Sequence, residues 1–209
     1  AALNKEDGSR NRFTSRFNNG MLVEMDFDAY HLRLIANLVG YKLPDDSVHT
    51  YLGKYYFGKD ELTEQEYQEA KQINFKILYG GIPEEFKNIE FFSFIGKLWH
   101  EWKSKSYVTT YLYKRRMTKE RLGEMNPQKL FNYYIQAYET EYNIKVIKRF
   151  KKVLNDKQTK VVLCTYDSFL FDFNISDGLD TLKELKNSMK IQSKVSIGAN
   201  YGTMIDKSL

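Results

Sequence analysis

The chain of 209 residues has a single cysteine, Cys164, so no disulfide can form within it, and a reducing compartment suits it. Histidine is nearly as scarce, at 3, and no Cys/His spacing suggests a zinc site. No stretch of about 18 apolar residues occurs, which argues against a membrane-spanning helix. A signal-peptide pattern and an internal repeat are also lacking. Acidic residues are in deficit, 27 against 32 basic ones, and the resulting net charge of +5 suits a polyanionic partner. What the chain does have is 42% hydrophobic residues, enough for a real core, in a length that allows one large domain or two small ones. Tyr 16 and Phe 14 are high counts, most of them core material and some available to stack on bases. The chain opens at Ala1, and the polar segment Asn4 to Arg16 reads as a continuation of something upstream.

One run concentrates the chemistry. From Glu66 to Gly80, Lys71, Phe75 and Tyr79 recur every four residues. That spacing lines a cation and two aromatics along one side of a helix, since each step of four overshoots a full turn by only about 40°. A cation there can hold a triphosphate, an aromatic one turn on can pack against base or sugar, and a second can close the site where Gly80 ends the helix. Thr63 and Glu66 form a capping box at its start. An amphipathic helix with its apolar side in a core has the same spacing.

Two further runs carry acids. Met21 to Phe27 reads as a short buried strand that delivers Asp26 at its end, and a helix follows with Tyr30, Leu34 and Leu38 at four-residue spacing. Lys160 to Phe173 reads as a hairpin with Asp167 near its turn. Taken singly, Asp26 also suits a helix N-cap and Asp167 a solvated turn.

In this order the three runs resemble motifs A, B and C of the family A, DNA polymerase I-like polymerases. Motif B there reads Lys-x-x-x-Phe-x-x-x-Tyr-Gly. The resemblance extends over nearly the whole chain. Ser47-Val48-His49 resembles the segment whose histidine reaches the triphosphate. Tyr107-Val108-Thr109-Thr110 and Lys114-Arg115-Arg116 resemble the stretch between fingers and palm. Asn132 to Gln136 resembles Asn-Ala-x-x-Gln, whose ends touch the duplex in the minor groove, and Gly198-Ala199-Asn200-Tyr201 resembles the closing Gly-x-Asn-Trp. The motifs depart from the pattern at four places. Ser168 stands where motif C has an accessory glutamate, Tyr67 where motif B has an arginine, His31 where motif A has the glutamate that blocks a ribose 2′-hydroxyl, and Lys76 where a glycine follows the phenylalanine.

The resemblance implies an α+β fold, a palm with a small antiparallel sheet plus helical fingers, with the thumb absent from this chain. Palm would span 1–34 and 127–209, including a helix from about Tyr133 to Leu154 with a basic end, and fingers 35–126. It implies a template-directed DNA polymerase that adds dNTPs to a primer 3′-hydroxyl. Asp26 and Asp167 would be catalytic and bind two Mg2+ ions, for which Mn2+ can substitute, with the Phe27 carbonyl as a further ligand. His31, His49, Lys71, Phe75 and Tyr79 would bind the nucleotide, with His31 as the barrier to ribose. Asn132, Gln136 and Tyr166 would bind primer-template DNA. The implied partners include an upstream segment or separate chain carrying the thumb and, in many members, an exonuclease. The implied compartment is the cytoplasm of a bacterial or phage-infected cell, or an organellar matrix. Two other readings stay open. Asp167-Ser168-Phe169 is similar to motif C of single-subunit, phage-type RNA polymerases, although Phe75 stands where those usually have methionine. A catalytically inactive module that binds primer-template is the third.

Overall fold

The computed structural model describes residues 7–44, 47–81 and 92–208. Residues 4–6 of the polar opening and 82–91 after motif B lie outside the described residues. In chain order the elements are β1 (Gly20–Phe27), α1 (Tyr30–Val39), α2 (Val48–Phe57), α3 (Glu64–Gly80), α4 (Ser93–Lys105), β2 (Tyr107–Thr109), β3 (Arg116–Thr118), α5 (Lys119–Leu122), α6 (Pro127–Val153), β4 (Lys160–Cys164), β5 (Ser168–Asn174), α7 (Gly178–Met189), β6 (Ser193–Gly198) and β7 (Ile205–Lys207). They form two compact units, Ala1–Tyr30 with Asn143–Leu209, and His31–Tyr142. Among the described residues no helix is long and apolar enough to cross a membrane.

The first unit is built on an antiparallel sheet of order β4-β5-β1-β6-β7. β1 lies between β5 and β6 and is antiparallel to both. β5 and β6 therefore run parallel to each other, and α7 makes the crossover that parallel strands require. One face of the sheet is apolar by simple alternation. Val23, Met25 and Phe27 of β1 share it with Phe169 and Phe171 of β5 and Val195 of β6, all buried. Phe150 of α6 meets this face edge-on, its ring 5.0 Å from Phe169 and 5.1 Å from Phe171. The opposite face is covered differently. Leu22 and Leu170 pack with Tyr201 of the tail, and the buried Asp172 ties down the N-terminal segment through the Ser15 hydroxyl (2.6 Å) and the Arg16 Nε (3.1 Å).

Two details differ from the sequence expectation. α6 begins at Pro127, about two turns before Tyr133, because Asn126 caps it by accepting from the Lys129 amide (2.8 Å) and proline is tolerated in the first turn. Its basic end is partly structural, since Arg149 Nη1 donates to the Ser188 carbonyl (3.1 Å) in the last turn of α7. Cys164 lies at the end of β4, the edge strand of the sheet, whose Val162 and Leu163 are exposed.

The second unit pairs α2 with α3. The expected capping box starts α3: Glu66 Oε2 accepts from the Thr63 amide (3.0 Å) and Thr63 Oγ1 from the Glu66 amide (3.3 Å). The β2–β3 hairpin loop hangs on Glu141 of α6. That buried carboxylate accepts from Thr110 Oγ1 (2.6 Å), the Leu112 amide (3.1 Å) and the Tyr113 amide (3.2 Å). Trp102 is buried, as packing requires, whereas Tyr111 and Tyr113 on that loop are exposed.

α2 approaches α3 closely only because position 53 has no side chain. A Cβ on Gly53 would stand 2.5 Å from Leu62 Cδ1 and 3.0 Å from the Ala70 Cβ. Gly53→Val is expected to destabilise the protein by about 1–3 kcal/mol through overpacking. Equilibrium denaturation checks it, and an unchanged midpoint would contradict the packing described.

Candidate active site

In the first unit, strand pairing brings the two expected acids to adjoining strand ends. Asp26 is the penultimate residue of β1 and pairs with Ser168, the first residue of β5. Asp167 immediately precedes Ser168, and its carbonyl accepts from the Phe27 amide (2.8 Å). Both carboxylates are exposed, while Phe27 and Ser168 are buried. Tyr166, also in the turn, is 83% exposed. The turn is held by Asn143 of α6, whose Nδ2 donates to the Tyr166 carbonyl (2.9 Å) and whose Oδ1 accepts from the Tyr30 hydroxyl (2.7 Å).

Glu24, on the same side of β1 as Asp26, braces this arrangement. Its Oε1 accepts from the Ser168 hydroxyl (2.9 Å) and from the Tyr201 hydroxyl (2.9 Å). Motif C thus has a hydroxyl where a carboxylate was expected, and a carboxylate from β1 meets that hydroxyl. Burial and the Glu24 charge push the Tyr201 phenol up to about 12. Among the described residues no group of three or more His, Cys, Asp or Glu side chains is placed to hold a metal. Asp26 and Asp167 offer hard carboxylate oxygens, the donor type that magnesium takes one or two at a time beside water.

In the second unit, the stripe on α3 faces outward. Phe75 and Tyr79 are 47% and 42% exposed and Lys71 is exposed, while Ala70, Asn74 and Ile77 carry the buried side. A core stripe is therefore ruled out. The Phe75 and Tyr79 rings are nearly parallel, at 12° and 6.3 Å. His49, one residue into α2, lies 6.1 Å from the Phe75 ring. The fully buried Asn74 orients it: Oδ1 accepts from the Tyr56 hydroxyl (2.6 Å), so Nδ2 faces His49 Nδ1 (3.0 Å) as donor. With Nδ1 accepting, the imidazole proton sits on Nε2. Tyr67, in the place of the expected arginine, packs edge-on against His49.

His31 is held at both nitrogens. Nδ1 lies 2.6 Å from the Tyr79 hydroxyl and Nε2 lies 2.9 Å from Glu139 Oε2. Along α6, Asn132 is half-buried beside Gln128, which donates to the Leu78 carbonyl, and Gln136 is exposed one turn on. Gln136 lines a cleft of about 330 Å³ with Arg115, Arg116, Arg121, Tyr133 and Thr140.

The chain superposes on the POL domain of Pol1 from M. smegmatis, solved in complex with DNA primer-template and dNTP. The TM-score is 0.76 over 96% of this chain and 44% of that one, at 14% sequence identity. The chain has a polymerase-domain fold. It spans less than half the length of that relative. No protein-family model matches the sequence, and no curated protein matches it.

The α+β fold with a small antiparallel sheet is as the motifs led one to expect. Within this polymerase-like fold, Asp26, Phe27, Tyr166 and Asp167 gather in the first unit. His31 meets Tyr79, and His49 meets Phe75, in the second. Sequence reasoning missed Glu24, Asn74, Glu139 and Asn143. Each is a polar residue inside a strand or helix run, and its partner lies 23 to 144 positions away, so no local signal marks it.

The Tyr201 phenol gives a direct check on the Glu24 brace. In Glu24→Gln its titration midpoint is expected to fall from about 12, while burial keeps it above the usual value of about 10. NMR of isotope-labelled tyrosine measures it, and an unmoved midpoint would contradict the contact.

Proposed function

We propose that the chain is the catalytic portion of a template-directed DNA polymerase, which adds dNTPs to a primer 3′-hydroxyl. The observation that carries the reading is the pairing of Asp26 with Ser168, which exposes two carboxylates at adjoining strand ends in a polymerase-domain fold. The 3′-hydroxyl oxygen attacks the α-phosphorus, the bond to the pyrophosphate leaving group breaks, and the hydroxyl proton passes to water. Asp26, Asp167 and the Phe27 carbonyl would hold magnesium, which supplies charge neutralisation for attacking and leaving oxygens. Two carboxylates suffice for a hard ion whose remaining ligands are water and phosphate.

The second unit supplies the nucleotide contacts. Lys71 pairs with the triphosphate, His49 donates from Nε2 to a phosphate oxygen, and the parallel Phe75 and Tyr79 rings receive sugar and base. His31 stands against a ribose 2′-hydroxyl. Asn132, Gln136 and the arginine-lined cleft bind DNA, where each phosphate neutralised adds to affinity and to its salt dependence.

Primer extension with magnesium and either dNTPs or NTPs tests the reading. Asp26→Asn and Asp167→Asn are expected to lower extension by orders of magnitude while duplex affinity changes little. Near-normal turnover in either variant would overturn the assignment. Equal use of NTPs and dNTPs by the wild type would favour an RNA polymerase instead.

Lys71→Ala is expected to lose a charge-assisted contact of about 1.5–3 kcal/mol, roughly ten- to a hundredfold. The loss should appear in single-turnover nucleotide kinetics and not in duplex affinity. Unchanged nucleotide kinetics would remove Lys71 from the site.

A further inference from the structure

We infer that Glu139 is a positioning residue for sugar selection: its buried carboxylate holds the His31 ring, so that ring and the Tyr79 phenol stand as one fixed barrier to a ribose 2′-hydroxyl. The inference rests on the polymerase reading above.

The three residues come from three helices of one unit. His31 is the second residue of α1, Tyr79 the penultimate residue of α3, and Glu139 lies midway along α6. Glu139 is 4% exposed. A carboxylate so placed needs a donor, because removing its charge from water without a partner is strongly unfavourable. The His31 ring supplies one at 2.9 Å.

The chemistry of the acceptor fixes the ring. A carboxylate only accepts, so Nε2 carries a proton. Nδ1 is then left for the Tyr79 hydroxyl at 2.6 Å, which donates to it when the ring is neutral. With both nitrogens engaged, the imidazole cannot turn without breaking two hydrogen bonds. A bond to Tyr79 alone would let it swing aside.

A barrier to one extra oxygen atom works by not yielding. Preorganised groups discriminate because their geometry is fixed before the substrate arrives. Glu139 therefore acts on selectivity through His31, without touching the nucleotide.

Two variants separate the hydrogen bond from the carboxylate charge. Glu139→Leu removes the acceptor, and Glu139→Gln keeps one in its amide carbonyl. The readout is the ratio of kcat/KM for dNTP and NTP insertion in primer extension. Glu139→Leu is expected to lose about tenfold or more of the wild-type preference for dNTPs, and Glu139→Gln to retain most of it. An unchanged ratio in Glu139→Leu, or an equal loss in Glu139→Gln, would overturn the inference.

Imidazole-nitrogen NMR on the protein without nucleotide gives a second, independent arm. The wild-type His31 ring is expected to carry its proton on Nε2, and Glu139→Leu to lose that fixed assignment. A wild-type ring protonated on Nδ1 alone would overturn the inference. If the wild type inserts no nucleotide at all, the polymerase reading fails, and the NMR arm still decides whether Glu139 sets the ring.

Discussion

The register of β1 between β5 and β6 is the constraint on which the first unit depends. Side chains alternate along a strand, so a slip of one residue would turn every one of them to the other face. In the observed register Val23, Met25 and Phe27 lie in the core with Phe169 and Phe171, and Glu24 and Asp26 point the other way. The same pairing opposes Asp26 to Ser168 and ties the Phe27 amide to the Asp167 carbonyl. Apolar burial on one face therefore sets where Glu24 and Asp26 stand on the other. Burying a large apolar side chain stabilises by about 1.5–3 kcal/mol, and several act together here.

Polar residues inside helices do the local aiming. Asn143 holds the turn of Asp167, Asn74 orients His49, Glu139 takes one nitrogen of His31, and Glu141 suspends the β2–β3 loop. Each is buried, so leaving its polar atoms unsatisfied would cost about 1–3 kcal/mol. The cost makes the side chains that they hold stay in one place. Rigid supporting groups behind exposed working groups are what a site needs when ångström-scale placement decides rate and selectivity.

The departures from the family pattern have structural counterparts. Ser168 lacks the carboxylate expected beside Asp167, and Glu24 brings one from the neighbouring strand to the Ser168 hydroxyl. His31 lacks the carboxylate expected at its position, and Glu139 brings one from α6 to the ring. At both places a carboxylate from another element hydrogen-bonds the side chain that stands there. A carboxylate at that distance shapes its neighbour by hydrogen bonding more than by its own charge.

Local elements and their chemical order follow from short-range patterns in the amino-acid sequence. The Thr63–Glu66 capping box, the four-residue stripe on α3, the alternation of β1 and the hairpin around Asp167 are written in short-range patterns, because caps, periods and turns are set by residues within a few positions. The start of α6 is legible too, in Asn126-Pro127, a capping side chain followed by a residue that the first turn tolerates. Long-range packing alone sets that the α3 stripe is exposed and not core, that β4 is an edge, and that Asn143, Glu24, Asn74 and Glu139 meet the residues of the candidate site. Those facts depend on which distant segments a side chain meets. Glu139 and His31 stand 108 positions apart, and nothing in either neighbourhood specifies the other until the chain has folded.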